Sequence, residues 1–155
     1  MRALGVDYGE RRIGLALSDA SGMLARPWKT IARQGNPSQV AQTIAGEVDA
    51  LARQDESIGV VVLGYPRRLS GERNRQTENV ERVADQLRRL VTVPLVLQDE
   101  RLSSREADDL LARREGDWRK RKEHLDAMAA AVILQDYLDS SGASGAAVSP
   151  EDGDR

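Results

Sequence analysis

Three carboxylates stand where an acid has no plain structural duty: Asp7 ending an apolar strand, Glu100 just past another, and Asp126 on the apolar side of a helix. In Arg2-Ala3-Leu4-Gly5-Val6-Asp7-Tyr8-Gly9 the two-residue period puts Leu4 and Val6 on one face and Ala3, Gly5 and Asp7 on the other. A carboxylate among such small residues is costly to bury without a cation or several donors. Ordinary turn chemistry is the competing explanation for Asp7. Asp126 shares a helical face with Ala129, Ala130, Ile133 and Tyr137, and so projects inward from the first turn of a helix expected over Leu125–Leu138. The helix dipole, worth roughly 0.3–1 kcal/mol, favours an acid in a first turn but does not select the buried face. Glu100 lies where ligand-binding residues of parallel sheets gather, or else is a surface glutamate paired with Arg101 or Arg105. Asp99 points the other way if its strand continues. Together Asp7, Glu100 and Asp126 make a hard, oxygen-only set that suits Mg²⁺ or Mn²⁺. Two such ions roughly 3.5–4 Å apart activate water and stabilise the leaving oxygen in phosphodiester hydrolysis. Without metal the carboxylates repel, so Asp126→Asn is expected to leave stability unchanged or raise it by about 1 kcal/mol.

The elements that must position these acids follow from the hydrophobic pattern. Arg2–Tyr8 and Arg12–Asp19 read as a hairpin with Glu10-Arg11 in its turn. Met23–Ala32 reads as a third strand, and Pro27 assigns it to an edge or makes it irregular. Asn36 or Ser38 caps a helix whose stripe is Val40, Ile44, Val48 and Leu51. Ile58–Leu63 is a strand buried on both faces, as in a parallel sheet. Val80, Val83, Leu87 and Leu90 mark a second helix, and Pro94–Leu97 a short buried strand. Ser103 or Ser104 caps a third helix, with Glu106 placed for a capping box with Ser103. The charged stretch Glu115–Lys122 reads as a mobile loop before the last helix. Residues 1–139 make one domain, and the Ser/Gly/Ala-rich 140–155 reads as a disordered tail. Strands that first form hairpins and then alternate with helices imply an α/β fold with a mixed sheet covered by helices.

Composition narrows the chemistry. The 155 residues contain no cysteine and one histidine, His124. That removes disulfides, thiolate catalysis, Cys-ligated zinc and multi-histidine metal sites. No apolar run approaches the roughly 20 residues that span a bilayer, and the first residues are not a signal peptide. No membrane partner and a cytoplasmic location are expected. The 23 basic and 25 acidic side chains sum to −2, so nucleic-acid binding would rest on local clusters: Arg67-Arg68, Arg73 with Arg75, and Arg113 to Lys122.

Four segments carry a family resemblance: Gly5-Val6-Asp7-Tyr8-Gly9, Leu63-Gly64-Tyr65-Pro66…Gly71, Asp99-Glu100-Arg101-Leu102-Ser103, and Leu125-Asp126-Ala127…Ala130-Ala131-Val132-Ile133-Leu134. In this order, over residues 1–139, they resemble the successive motifs of the YqgF/RuvX family, Holliday-junction resolvase homologues and pre-ribosomal RNA nucleases with an RNase H-like five-stranded mixed sheet. The resemblance implies Asp7, Glu100 and Asp126 as catalytic metal ligands for Mg²⁺ or Mn²⁺. It also implies a nuclease with roles in 5′-end processing of small-subunit pre-rRNA and in four-way DNA junctions. Arg67-Arg68 and His124 depart from the family pattern and bear on substrate preference rather than reaction type.

Phosphate contacts give affinity without reading sequence. Arg11 in the first turn, Arg67, Arg68 and Arg73 in one loop, and Arg119, Lys120 and Lys122 in another are therefore the expected nucleic-acid contacts, with solvated charge as the alternative for any single one. Trp118 either stacks on an unpaired base or anchors its loop. Junction resolution needs two sites related by a two-fold axis, whereas trimming an RNA end needs one, so monomer and homodimer both stay open. Two other classes compete. An actin-like ATP-binding domain shares the Asp-x-Gly hairpin, but it needs two domains, and the chain has no phosphate-binding glycine motif. A non-catalytic RNA-binding ribosome-biogenesis protein is disfavoured by the complete acidic triad.

Overall fold

The computed structural model describes residues 1–9, 11–65, 75–99 and 118–145, with side chains at 118–124 and 142–145 excepted. Five strands, β1 (Arg2–Tyr8), β2 (Arg12–Ser18), β3 (Ala25–Ala32), β4 (Ile58–Tyr65) and β5 (Leu95–Asp99), form one mixed sheet in the order β3-β2-β1-β4-β5. β1, β4 and β5 run parallel, while β2 and β3 are antiparallel to their neighbours. The carboxyl ends of β1, β4 and β5 therefore lie along one edge, and β2 starts there. Helices α1 (Pro37–Arg53) and α2 (Arg75–Leu90) cover one face, and α3 (Trp118–Gly145) covers the other. A third helix near Ser103 and Glu106 falls outside the described residues.

Strand alternation divides the labour. Leu4, Val6, Tyr8, Ile13, Leu15, Val61 and Leu63 join the stripes of α1 and α2 in one core. Each fully buried aliphatic side chain there stabilises by about 1.5–3 kcal/mol. The opposite face carries Ala3, Ala16 and Val62 against Met128 to Leu134. Asn36 caps α1: its side chain accepts from the Gln39 N–H while Gln39 returns a bond to the Asn36 N–H, with Pro37 opening the helix. Leu90, expected on the α2 stripe, is 47% exposed, because the buried set ends at Leu87.

β3 is an edge strand, and its register slips where Leu15 pairs with Lys29 but Ala16 pairs with Pro27. Proline's missing donor is thus absorbed at both an edge and a bulge. The β2–β3 turn is held by Asp19, whose carboxylate accepts from the N–H groups of Leu24 and Met23 and from the Ser21 hydroxyl. Those bonds hold the Asp19 carboxyl well below its ordinary range, the Leu24 N–H contributing most. β5 is half-buried at the other edge rather than fully buried.

Two expectations about the C-terminal part change. Residues 118–122 belong to α3 rather than to a loop, and α3 runs past residue 139 to Gly145. The helix also lies unusually close to the sheet. A Cβ built on Gly14 would sit 1.9 Å from the carbonyl oxygen of Asp126, and one on Gly5 would sit 2.8 Å from Leu134 Cβ and 2.9 Å from the Ala130 oxygen. Neither position admits a side chain while α3 keeps its place. Gly14→Ala is therefore expected to destabilise the fold by about 1–3 kcal/mol or more, measured by urea denaturation. The same change at Gly46, where a Cβ meets nothing within 4 Å, is the control; equal stability of the two variants would contradict this packing.

Candidate active site

The close approach of α3 does more than fill space. Asp7 pairs across the sheet with Gly14, and cross-strand partners share a face. Gly14 is the residue against which the Asp126 backbone rests. Asp7 and Asp126 are thus brought to one face of the sheet, at the carboxyl end of β1. From there α3 runs back antiparallel to β1, with Ala130 and Leu134 over Gly5, and Gln135 accepting from the Ala25 N–H and donating to the Met23 carbonyl. Its turns before Asp126 accordingly extend beyond the sheet edge. Residues 119, 120 and 122 lie about 6–11 Å ahead of Asp126 along the axis at the usual helical rise.

Asp126 is more than two turns inside α3, since the helix begins at Trp118. The first-turn dipole explanation therefore does not apply to it. Its compensation is a cation: Arg12 Nε donates to Asp126 Oδ2 at 2.7 Å. Arg12 lies two residues before Gly14 and so projects to the α3 face beside the turn. Its side chain is 48% exposed and that of Asp126 24%. This contact replaces the uncompensated repulsion expected of Asp126, and with it the expectation that an amide there is harmless. Arg12 is not among the contacts expected from the sequence, which include Arg11 in the turn; strand alternation from Gly14 is the signal that marks it.

The hairpin that carries Asp7 is braced from both sides. Gly9 N–H donates to Arg12 O at 3.0 Å and closes the two-residue turn. Gln76 Nε2 at the start of α2 donates to the Tyr8 carbonyl at 2.6 Å, and Arg33 Nη1 donates to the Gly9 carbonyl at 3.2 Å. The Arg33 guanidinium also sits 4.8 Å from the centre of the Tyr8 ring. Tyr8 is buried, and its hydroxyl finds no partner among the described residues.

The remaining candidates divide by position. Arg11 is exposed at the turn. Glu100 follows Asp99, the last residue of β5, and lies outside the described residues, as do Arg67, Arg68 and Arg73. Asp99 pairs with Tyr65, which packs on the α1/α2 side, so Asp99 faces away from α3 as alternation expects. Arg119, Lys120 and Lys122 lie in the first turns of α3, their side chains outside the description. Among the described residues no three His, Cys, Asp or Glu side chains are grouped to hold a metal. The two triad members that are described, Asp7 and Asp126, offer hard oxygen donors on one face, the donor chemistry a small divalent cation needs.

A mixed five-stranded sheet in this order, helix-covered on both faces, is the RNase H-like fold of the RuvC-type resolvases. Thermus thermophilus RuvC superposes with a TM-score of 0.52 at 14% identity over 92% of this chain and 97% of its own. The same enzyme with its Holliday junction substrate gives 0.51 at 16% identity, over 92% and 96%. The family described as "RuvX: Holliday junction resolvase" matches residues 1–140, and the chain belongs to it. A Syntrophus aciditrophicus protein named "Putative pre-16S rRNA nuclease" is 39% identical over 90% of this chain and 89% of its own length. One of the same name from Thermoanaerobacter pseudethanolicus is 36% identical over 90% and 97%. No helix among the described residues is long and apolar enough to cross a membrane.

The Arg12–Asp126 contact makes a stability prediction. In chelator at neutral pH, Arg12→Gln and Asp126→Asn should each cost up to about 1 kcal/mol, the range for a partly exposed pair. The double variant should cost no more than the larger single one, because a single contact is shared. Denaturant titration of the four proteins measures this; fully additive losses would show that the two side chains act separately.

Proposed function

We propose that this chain is a divalent-metal-dependent nuclease that hydrolyses phosphodiester bonds in structured nucleic acid, with Asp7, Glu100 and Asp126 as its metal ligands. The observation that carries the reading is the seat of Asp126 against Gly14, which brings an acid deep in a helix to the face and edge where Asp7 lies, one residue before the end of β1. Membership of a nuclease family supports the reaction class. Mg²⁺ or Mn²⁺ held by these oxygens would supply an activated water and charge neutralisation at the leaving oxygen.

The chain's own groups do the rest. Gln76 and Arg33 hold the Tyr8 and Gly9 carbonyls, and so fix the turn that aims Asp7. Arg11 and the basic first turns of α3, with Arg119, Lys120 and Lys122, approach the same edge and suit a phosphate backbone. Arg67, Arg68 and Arg73 belong to the same proposed contact set. The name carried by the relatives makes the 5′ end of pre-16S rRNA the first substrate to test, and a four-way DNA junction the second. Cleavage of a junction would further require a homodimer.

The test is cleavage of labelled precursor RNA and of a four-way junction, side by side, with Mg²⁺ and with Mn²⁺. Asp7→Asn, Glu100→Gln and Asp126→Asn should each lower turnover by several orders of magnitude, since metal ligands act as a unit, while binding is largely kept. An amide variant with near-parental turnover would remove that residue from the site. A parent that binds RNA but cleaves neither substrate with either metal would favour the non-catalytic RNA-binding reading.

A further inference from the structure

We propose that Arg12 is the resident counter-ion of Asp126, occupying that carboxylate until a divalent cation displaces it, and so setting how tightly the site takes metal. The inference rests on Asp126 being a metal ligand, as read above.

Three features carry it. The contact is direct, 2.7 Å between Arg12 Nε and Asp126 Oδ2, and a charge-assisted bond of that length engages the carboxylate fully. The backbone at Asp126 is fixed against Gly14, so this carboxylate changes partners by moving side chains and not by shifting the helix. Arg12, by contrast, is half exposed at the strand end, with solvent to receive it when it leaves. A guanidinium keeps its charge at any working pH, so no proton can relieve the competition: a cation taking Asp126 must break the pair. The exchange is also reciprocal, because whatever Arg12 costs the metal, the metal costs the Arg12 contact.

Two measurements on the intact protein test this. Free Mn²⁺, followed by electron paramagnetic resonance, gives the Mn²⁺ Kd of the parent, Arg12→Gln and Asp126→Asn, with far-UV circular dichroism confirming that each is folded. Arg12→Gln should bind Mn²⁺ roughly two- to fivefold more tightly, the range set by a partly exposed ion pair, and Asp126→Asn more weakly than the parent. In the ¹⁵N-labelled parent, the Arg12 Nε–H resonance should move at saturating Mg²⁺ toward its position in metal-free Asp126→Asn, a change that a simple loss of positive charge nearby would not produce. An Arg12→Gln Kd equal to or weaker than the parent's would overturn the proposal, as would an Arg12 resonance unmoved by Mg²⁺. If the parent takes up no Mn²⁺, or Asp126→Asn binds it as the parent does, the metal reading of Asp126 falls and this inference with it. If those two controls hold and only the Arg12 results fail, the metal reading survives.

Discussion

Everything at the functional edge depends on how near α3 can come to the sheet. Gly5 and Gly14 leave no room for even a methyl group beneath the helix backbone, and Ala3 and Ala16 keep the rest of that face shallow. Close packing of backbone on backbone leaves few rotamers to choose among, so the helix has one seat rather than several. Asp126 inherits its position from that seat. Its precision comes from residues that have no functional group at all.

The two faces of the sheet therefore serve different ends. Against α1 and α2 the strands present Leu, Ile, Val and Tyr, the bulky set that supplies most of the apolar burial. Against α3, β1 and β2 present Ala and Gly, with Val62 of β4 beside them; the small residues bury little area each but hold a chemical group at a fixed height. Bulk on the first face is what makes economy on the second tolerable. Because β1, β4 and β5 are parallel, their carboxyl ends come to one edge, the place where α/β sheets commonly bind ligands.

Much of this was legible in the sequence because strand alternation is a rigid rule. Asp7 had to share a face with Ala3 and Gly5, and Asp99 had to face the other way. Pro27 announced an edge or an irregularity and marks both. The N-terminal turns of α3 were illegible for an equally physical reason. Periodicity reports contact with a core, and residues 118–122 belong to the part of the helix that extends past the sheet edge. No apolar residue repeats at helical spacing in that stretch, so it reads as a charged loop. Leu90 failed in the opposite direction: it keeps the period of α2 one turn beyond the point where the core ends. Glu100 and the Arg67–Arg73 loop lie outside the described residues, and their reading rests on the sequence.

The charge at Asp126 shows how a site can be stable and still available. An acid more than two turns into a helix gains nothing from the helix terminus, and at 24% exposure it retains only part of its hydration. Burying it fully with a partner would cost desolvation on both sides and leave a pair that is hard to open. Leaving it alone would set it against Asp7 on the same face. A half-exposed arginine resolves both problems: its Coulombic gain is modest because water screens it, yet that is enough to occupy the carboxylate. The same screening that makes Arg12–Asp126 a poor contributor to stability keeps the pair easy to open, which is what the proposed metal exchange requires.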